Sequence, residues 1–317
     1  MRDLKFKRAF CLIMVALSCV SVPAYAAQAA PNEDPAPREK AGLPETDIFL
    51  FDIILGQAPS LSNPRNVTTR AGYDNQPSFT ADSQSFLYSR GDDYQTDVYE
   101  YDIKIGTSTQ ITNTITSEFS PVSSPDNTTI SFVSDGPGAA QTIVTMQRDG
   151  SGKTSNLLPG DTLREPIGYY AWNHGTGDVL YWSRYGFNVS LTDTDGAQSR
   201  YISGNAVPST PYVIPSTNKF SFVHRQGDES VWIKELDPET HSVRPLTALN
   251  GPNANYAWAP DGSVFIIQDD GLYRWQVGMD GWADVAELPD YGIEGVARLS
   301  FSPDGKSLAV VGLAVTP

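Results

Sequence analysis

Cysteine is nearly missing from this chain: the 317 residues hold two, Cys11 and Cys19, both within the first 26. Loss of that segment would leave no thiol for a disulfide, a zinc–thiolate site or a cysteine nucleophile. Histidine is scarce, at His174, His224 and His241. Basic residues are in deficit, with 22 Lys plus Arg against 37 Asp plus Glu, a formal charge of -15. That balance excludes a broad basic surface for nucleic acid or anionic lipid. The one marked apolar run, Ala9 to Val20, falls short of the roughly 20 residues that span a bilayer. A G-x-S-x-G nucleophile elbow is also lacking, which excludes the usual serine hydrolase domain.

The first residues read as an address. Arg2, Lys5, Lys7 and Arg8 precede the apolar run, and Ala24-Tyr25-Ala26 follows it as an A-x-A cleavage pattern. We expect a signal peptide over 1–26, cut after Ala26, and a periplasmic or secreted product. A lipidated Cys19 is the weaker alternative, since Ala16-Leu17-Ser18-Cys19 is a poor lipobox. Residues 27–46 are rich in Ala, Pro, Glu and Lys without periodicity and read as a flexible linker.

What the chain has in quantity is turns and aromatics: 26 Gly, 23 Pro and 11% Phe, Trp and Tyr. They fall into a repeat. An apolar anchor, a small polar turn with Asp and an alternating strand recur at Phe79, Val122, Trp172, Val213, Trp258 and Phe301. The spacing of about 40–50 residues, with several short strands per unit, marks blades of a β-propeller. The sharpest copies are Trp258-Ala-Pro-Asp-Gly262 and Phe301-Ser-Pro-Asp-Gly305. There Pro presets φ and Gly accepts a positive φ, which makes the turn between strands a and b. The last unit has only strands a and b before the chain ends. Asp47 to Ile53 and Arg65 to Thr68 look like strands c and d with no a or b before them. The predicted fold is therefore an all-β, six-bladed propeller over 47–317, of four-stranded antiparallel blades, with the last blade closed by strands from both termini.

These Pro-Asp-Gly repeats, each followed by a strand, resemble the TolB-like propeller repeat family over essentially all of 47–317. The resemblance implies a propeller-only relative, because residues 27–46 leave no room for the α/β domain that precedes the propeller in TolB itself. Some similar propellers are lyases of pectate fragments that hold a metal with several channel histidines. Here His174 is expected in an a–b turn and His241 in a c–d hairpin, on the face opposite His224, a scatter ill suited to one ion.

The remaining candidates are polar loops. In a propeller the d–a and b–c loops gather on one face around the central channel. The d–a set offers Asp74, Asn75, Glu118, Arg164, Glu165, Asn253 and Asn255, and the b–c set Arg90, Tyr94, Arg184, Tyr185 and Arg225. Arg and Tyr often carry binding energy at interfaces. The sequence thus points to a monomeric, non-catalytic scaffold for an envelope or extracellular protein or peptide, with no cofactor, no nucleic acid and no membrane span. The alternative is a carbohydrate-active lyase or hydrolase with a divalent cation held by carboxylates in the channel. Trp172, Trp182, Trp232 and Trp258 read as packing between blades. Exposed stacking positions would be Tyr94, Tyr185 or Trp282.

Overall fold

The repeating turn is built from side-chain chemistry. In the computed structural model, which describes residues 42–92, 94–136, 141–158, 165–194 and 199–314, Thr80, Ser124 and Ser302 each donate Oγ to the Asp two residues on. The distances to Asp82, Asp126 and Asp304 are 2.7, 2.6 and 2.7 Å. The same carboxylates accept the backbone N–H of Gln84, Thr128 and Lys306, each at 3.1 Å. Asp261 does this with both the N–H and the hydroxyl of Ser263. The bonds from Ser124 and Thr128 hold the Asp126 carboxyl down to about 2. The next residue is left-handed, with φ of 59° at Ser83, 57° at Asn127, 81° at Gly262 and 70° at Gly305. Glycine makes that conformation free of steric cost in the two sharpest copies.

Each turn joins an innermost strand to its neighbour, and five of the six predicted anchors end the innermost strands, Val122 falling one residue short. These run Tyr73–Phe79, Ser117–Ser123, Ile167–Trp172, Tyr212–Val213, Tyr256–Trp258 and Ile293–Phe301. Six four-stranded antiparallel sheets result. Blade six is composite: from the channel outward it is Ile293–Phe301, Ser307–Ala314, Asp47–Ile54 and Ser60–Asn66. The two termini pair without a break from Asp47↔Gly312 to Asp52↔Ser307. The outermost strand starts at Ser60, five residues before the Arg65 expected from sequence. Its polar, mostly exposed side chains and Pro64 carry no alternation to read, which suits an edge.

One sheet cannot cover both of its faces, so blades bury them against each other. The buried apolar residues fall into six clusters, and each cluster joins one neighbouring pair of blades. Leu87 and Val98 meet Ile130 and Phe132 between blades one and two. Five further clusters follow round the ring, the last joining Ile48, Leu50, Ala309 and Val311 to Phe79, Phe86, Tyr88 and Tyr101, between blades six and one. An open stack of six would have only five such interfaces; the ring is closed.

Residues 42–46, counted with the linker from sequence, lie along blade one. The Thr46 N–H donates to Gly72 O at 3.0 Å, and its hydroxyl donates to Asp74 O at 3.0 Å. The signal peptide and the rest of the linker lie outside the described residues. Among the described residues no helix is long and apolar enough to cross a membrane.

Candidate functional site

All six innermost strands border a central channel, and two cavities lie along it among the described residues. The lower, of about 220 Å³, is lined by residues of all six, among them Ser78, Pro121, Trp172, Tyr212, Tyr256 and Ser300. The upper, of about 310 Å³, reaches the face where d–a and b–c loops gather and is lined by Tyr73, Phe119, Tyr169, Trp182 and Arg184, among others. Gln76 and Arg298 line both. Among the described residues neither cavity is lined by an aspartate or a glutamate.

The expected loop residues separate into two groups. Tyr94, Arg184, Tyr185 and Arg225 stand exposed at b–c positions, Tyr94 at 47% and Tyr185 at 63%. Phe187 joins them at 52%, its ring edge-on to Trp182 at 5.6 Å. Arg184 forms no ion pair among the described residues and lines the upper cavity. Arg225 pairs loosely with Glu229 at 3.5 Å. Glu165 is exposed and ties the loops of blade three together, accepting from the Ser183 hydroxyl and, at 3.0 Å, from the Gly186 N–H. Arg90 is half-buried over the Tyr99 ring, 4.6 Å from its centroid. Arg164 lies outside the described residues.

The structure places three of the other group inside the blades and keeps Asn253 and Asn255 half-buried in the loop before Tyr256. Asp74 and Asn75 are buried in the innermost strand of blade one, and Glu118 in that of blade two. Asp74 accepts from Arg70 Nε and Nη2 at 3.2 and 3.0 Å. Asn75 reaches Thr46 Oγ1 at 3.4 Å. Glu118 accepts the hydroxyls of Thr112, Thr114 and Thr116. Asn253 and Asn255 both donate to Ala297 O, at 3.3 and 3.0 Å, and so stitch blade five to blade six. These five side chains brace the mouth from within. Trp282 is braced as well: its indole N–H donates to Ala248 O at 2.7 Å and the ring packs on the cluster between blades four and five.

The histidines lie apart. His174 stacks on Trp172 at 3.8 Å in an a–b turn, His224 is the last but one residue of strand b of blade four, and His241 sits in a c–d hairpin. Among the described residues no three His, Cys, Asp or Glu side chains converge as metal ligands would.

No protein-family model and no curated protein matches the sequence. Solved structures do. A candidate TolB from Agrobacterium tumefaciens superposes with a TM-score of 0.66 at 14% identity, over 84% of this chain and 98% of that one. TolB from Acinetobacter baumannii gives 0.51 at 14% identity, over 85% of this chain and 64% of that one. The chain has the TolB-like propeller fold. A gluconolactonase from Xanthomonas campestris is also similar, with a TM-score of 0.59 at 12% identity over 87% of this chain and 97% of that one. At such identities the likeness concerns the fold alone.

Within this TolB-like propeller, Asp74 makes stability depend on pH. Burial pushes its carboxyl up to about 6 against the opposing pull of Arg70, and Oδ2 has no hydrogen-bond partner. An unfolded aspartate titrates near 3.9. A folded value above the unfolded one means that the stabilising proton is present below about pH 4 and lost as pH rises through about 6. The difference corresponds to about 3 kcal/mol. Wild-type protein should therefore melt at a lower temperature at pH 7.5 than at pH 5, and Asp74→Asn should flatten much of that fall. Melting curves of both proteins across this range check it; equal slopes would contradict the assignment.

Proposed function

We propose that the protein is an exported, non-catalytic binding propeller that engages an envelope or extracellular protein or peptide at the face where the b–c and d–a loops gather. One observation carries the reading. Of the exposed aromatic side chains, Tyr94, Tyr185 and Phe187 stand on b–c loops of this face, the last two in the same loop as Arg184. Exposed aromatics beside an exposed arginine are the composition of a recognition surface. Export rests on the basic, apolar and A-x-A pattern of residues 2–26. Among the described residues the lining of both cavities offers Arg298 and Arg184 as its charged groups, which suits an acidic ligand better than a cation.

Capture from an envelope extract on immobilised wild-type protein, with oligogalacturonate cleavage measured in parallel with and without manganese or calcium, tests the reading. A saturable partner and no cleavage are expected. Metal-dependent turnover would overturn it.

A further inference from the structure

The innermost strands repeat in register, and the residue three positions before each anchor is informative. Those residues are Gln76, Tyr169, Thr210, Asn255 and Arg298, and in blade two, where the strand runs one residue past Val122, Ser120. Each of the six lines one or both cavities. Only Arg298 among them carries a charge, and it stands where the two cavities meet.

Arg298 is poorly neutralised for its position. Its Nη2 donates to the Tyr169 hydroxyl at 2.8 Å, the one hydrogen bond of its guanidinium among the described residues. A guanidinium has five N–H donors and stays protonated in proteins. Arg70, Arg148 and Arg244 each meet a carboxylate, on Asp74, Glu100 and Glu235, within 3.0 Å. Arg298 meets none. Its neighbours are phenols, and burial pushes Tyr73 and Tyr212 up to about 12, so both are neutral donors rather than counterions at physiological pH. A cation enclosed without a counterion costs the fold stability. The face of the Tyr169 ring, 5.2 Å from the guanidinium carbon, offsets part of that cost but supplies no counterion.

We infer that Arg298, with the hydroxyls of Tyr73, Tyr169 and Tyr212 beside it, is a carboxylate-binding site in the channel. The fork of the guanidinium matches a carboxylate in two-point fashion. The lower cavity beneath it is lined by Pro77, Pro121, Val122, Trp172, Val213 and Leu299, which suits an apolar stem on the acid. The upper cavity, with Arg184 at its edge, is the way in. The site deepens the binding reading, since a chain end or an acidic side chain of a peptide entering the mouth presents this group. It also stands apart from that reading, because a small free acid would satisfy it without any protein partner.

Titration calorimetry and melting curves of the full propeller separate these sources. The probes are N-acetyl-leucine for a chain end, the α-amide of N-acetyl-glutamate for a side chain, 3-phenylpropionate for a free acid, and N-acetyl-leucinamide as the neutral control. At least one acid is expected to bind and raise the melting temperature at about 10 mM or below, while the amide does neither. Arg298→Met should weaken that acid by at least about tenfold and, without ligand, melt no lower than wild type. Arg298→Lys, which keeps the charge but not the fork, should retain part of the affinity. Absence of acid binding to wild type, equal affinity for acid and amide, or equal affinity in Arg298→Met would each overturn the site. So would a lower melting temperature of ligand-free Arg298→Met, which would make the arginine structural. Partner capture with no acid binding would retain the binding function and remove this site from it.

Discussion

Removal of residues 307–317 should abolish the cooperative unfolding transition of the propeller. The deletion takes strand Ser307–Ala314 out of the middle of blade six, where it pairs with Ile293–Phe301 on one side and Asp47–Ile54 on the other. Leu308, Ala309, Val310 and Val311 are fully buried and divide between two clusters, those joining blades five to six and six to one. Burying each large apolar side chain is worth about 1.5–3 kcal/mol, and the lost strand also uncovers its partners Phe49, Phe51 and Phe301. The total is comparable with the roughly 5–15 kcal/mol that holds an ordinary domain folded. The deletion further leaves Asp47–Ile54 with one open edge, a template for association with other chains. Calorimetry of the truncated protein checks this. A transition at the parental temperature would mean that the ring does not depend on its composite blade.

Glu118→Ala should be the most destabilising single substitution among the residues that the sequence nominated for the mouth. Its carboxylate is buried and takes hydroxyl bonds from Thr112, Thr114 and Thr116, which fasten the loop between blades one and two to the innermost strand of blade two. Truncation leaves three hydroxyls to find new partners, and hydrogen bonds to a charged group are worth about 1.5–3 kcal/mol each before relaxation. A net loss of about 3 kcal/mol is expected, or about 6–12 °C in melting temperature for a chain of this size. Glu118→Gln keeps the shape and one carbonyl acceptor and should lose less than half as much. Burial also pushes the Glu118 carboxyl up, with the three threonine bonds opposing, so the gap between wild type and Glu118→Gln should narrow at pH 7.5 relative to pH 5. If Glu118→Ala melts like wild type, the residue is a rim contact rather than a brace.

Glu118 also shows where sequence stops being readable. The blade period was legible because its signal is local: Ser-Pro-Asp-Gly305 makes its own turn from its own hydroxyl and carboxylate, whatever surrounds it. Closure was legible because half-blades at opposite termini have a single way to be completed. The mouth was not legible to the same degree. Asp74, Asn75 and Glu118 look like loop residues because the stretches Tyr73-Asp-Asn-Gln-Pro77 and Ser117-Glu-Phe-Ser-Pro121 lack the apolar alternation that marks a strand. Their burial comes from partners such as Thr46, Arg70 and Thr112, whose proximity is a matter of tertiary structure. Arg298 was missed for a different reason. It lies in the strand beside the sharpest anchor rather than in a loop, and its signal is positional: three residues before Phe301, at the place where the other repeats carry uncharged side chains. Arg184 and Tyr185 were legible because they flank Gly186 in a short b–c turn that leaves them exposed.

The claim that the b–c and d–a face is the functional one is tested most directly by association kinetics of the captured partner with Arg184→Ala/Arg225→Ala, followed from low to high salt. Both arginines are exposed on that face of a chain whose formal charge is -15, so they are local exceptions in a negative field. Charges of this kind act over a Debye length of about 8 Å and steer encounter more than they hold a complex. The double variant should associate several-fold more slowly, with a weaker salt dependence and an unchanged melting temperature, while Lys104→Ala/Glu239→Ala on the opposite c–d hairpins should leave the rate alone. Unchanged association in the first pair together with loss in the second would place the function on the other face of the ring.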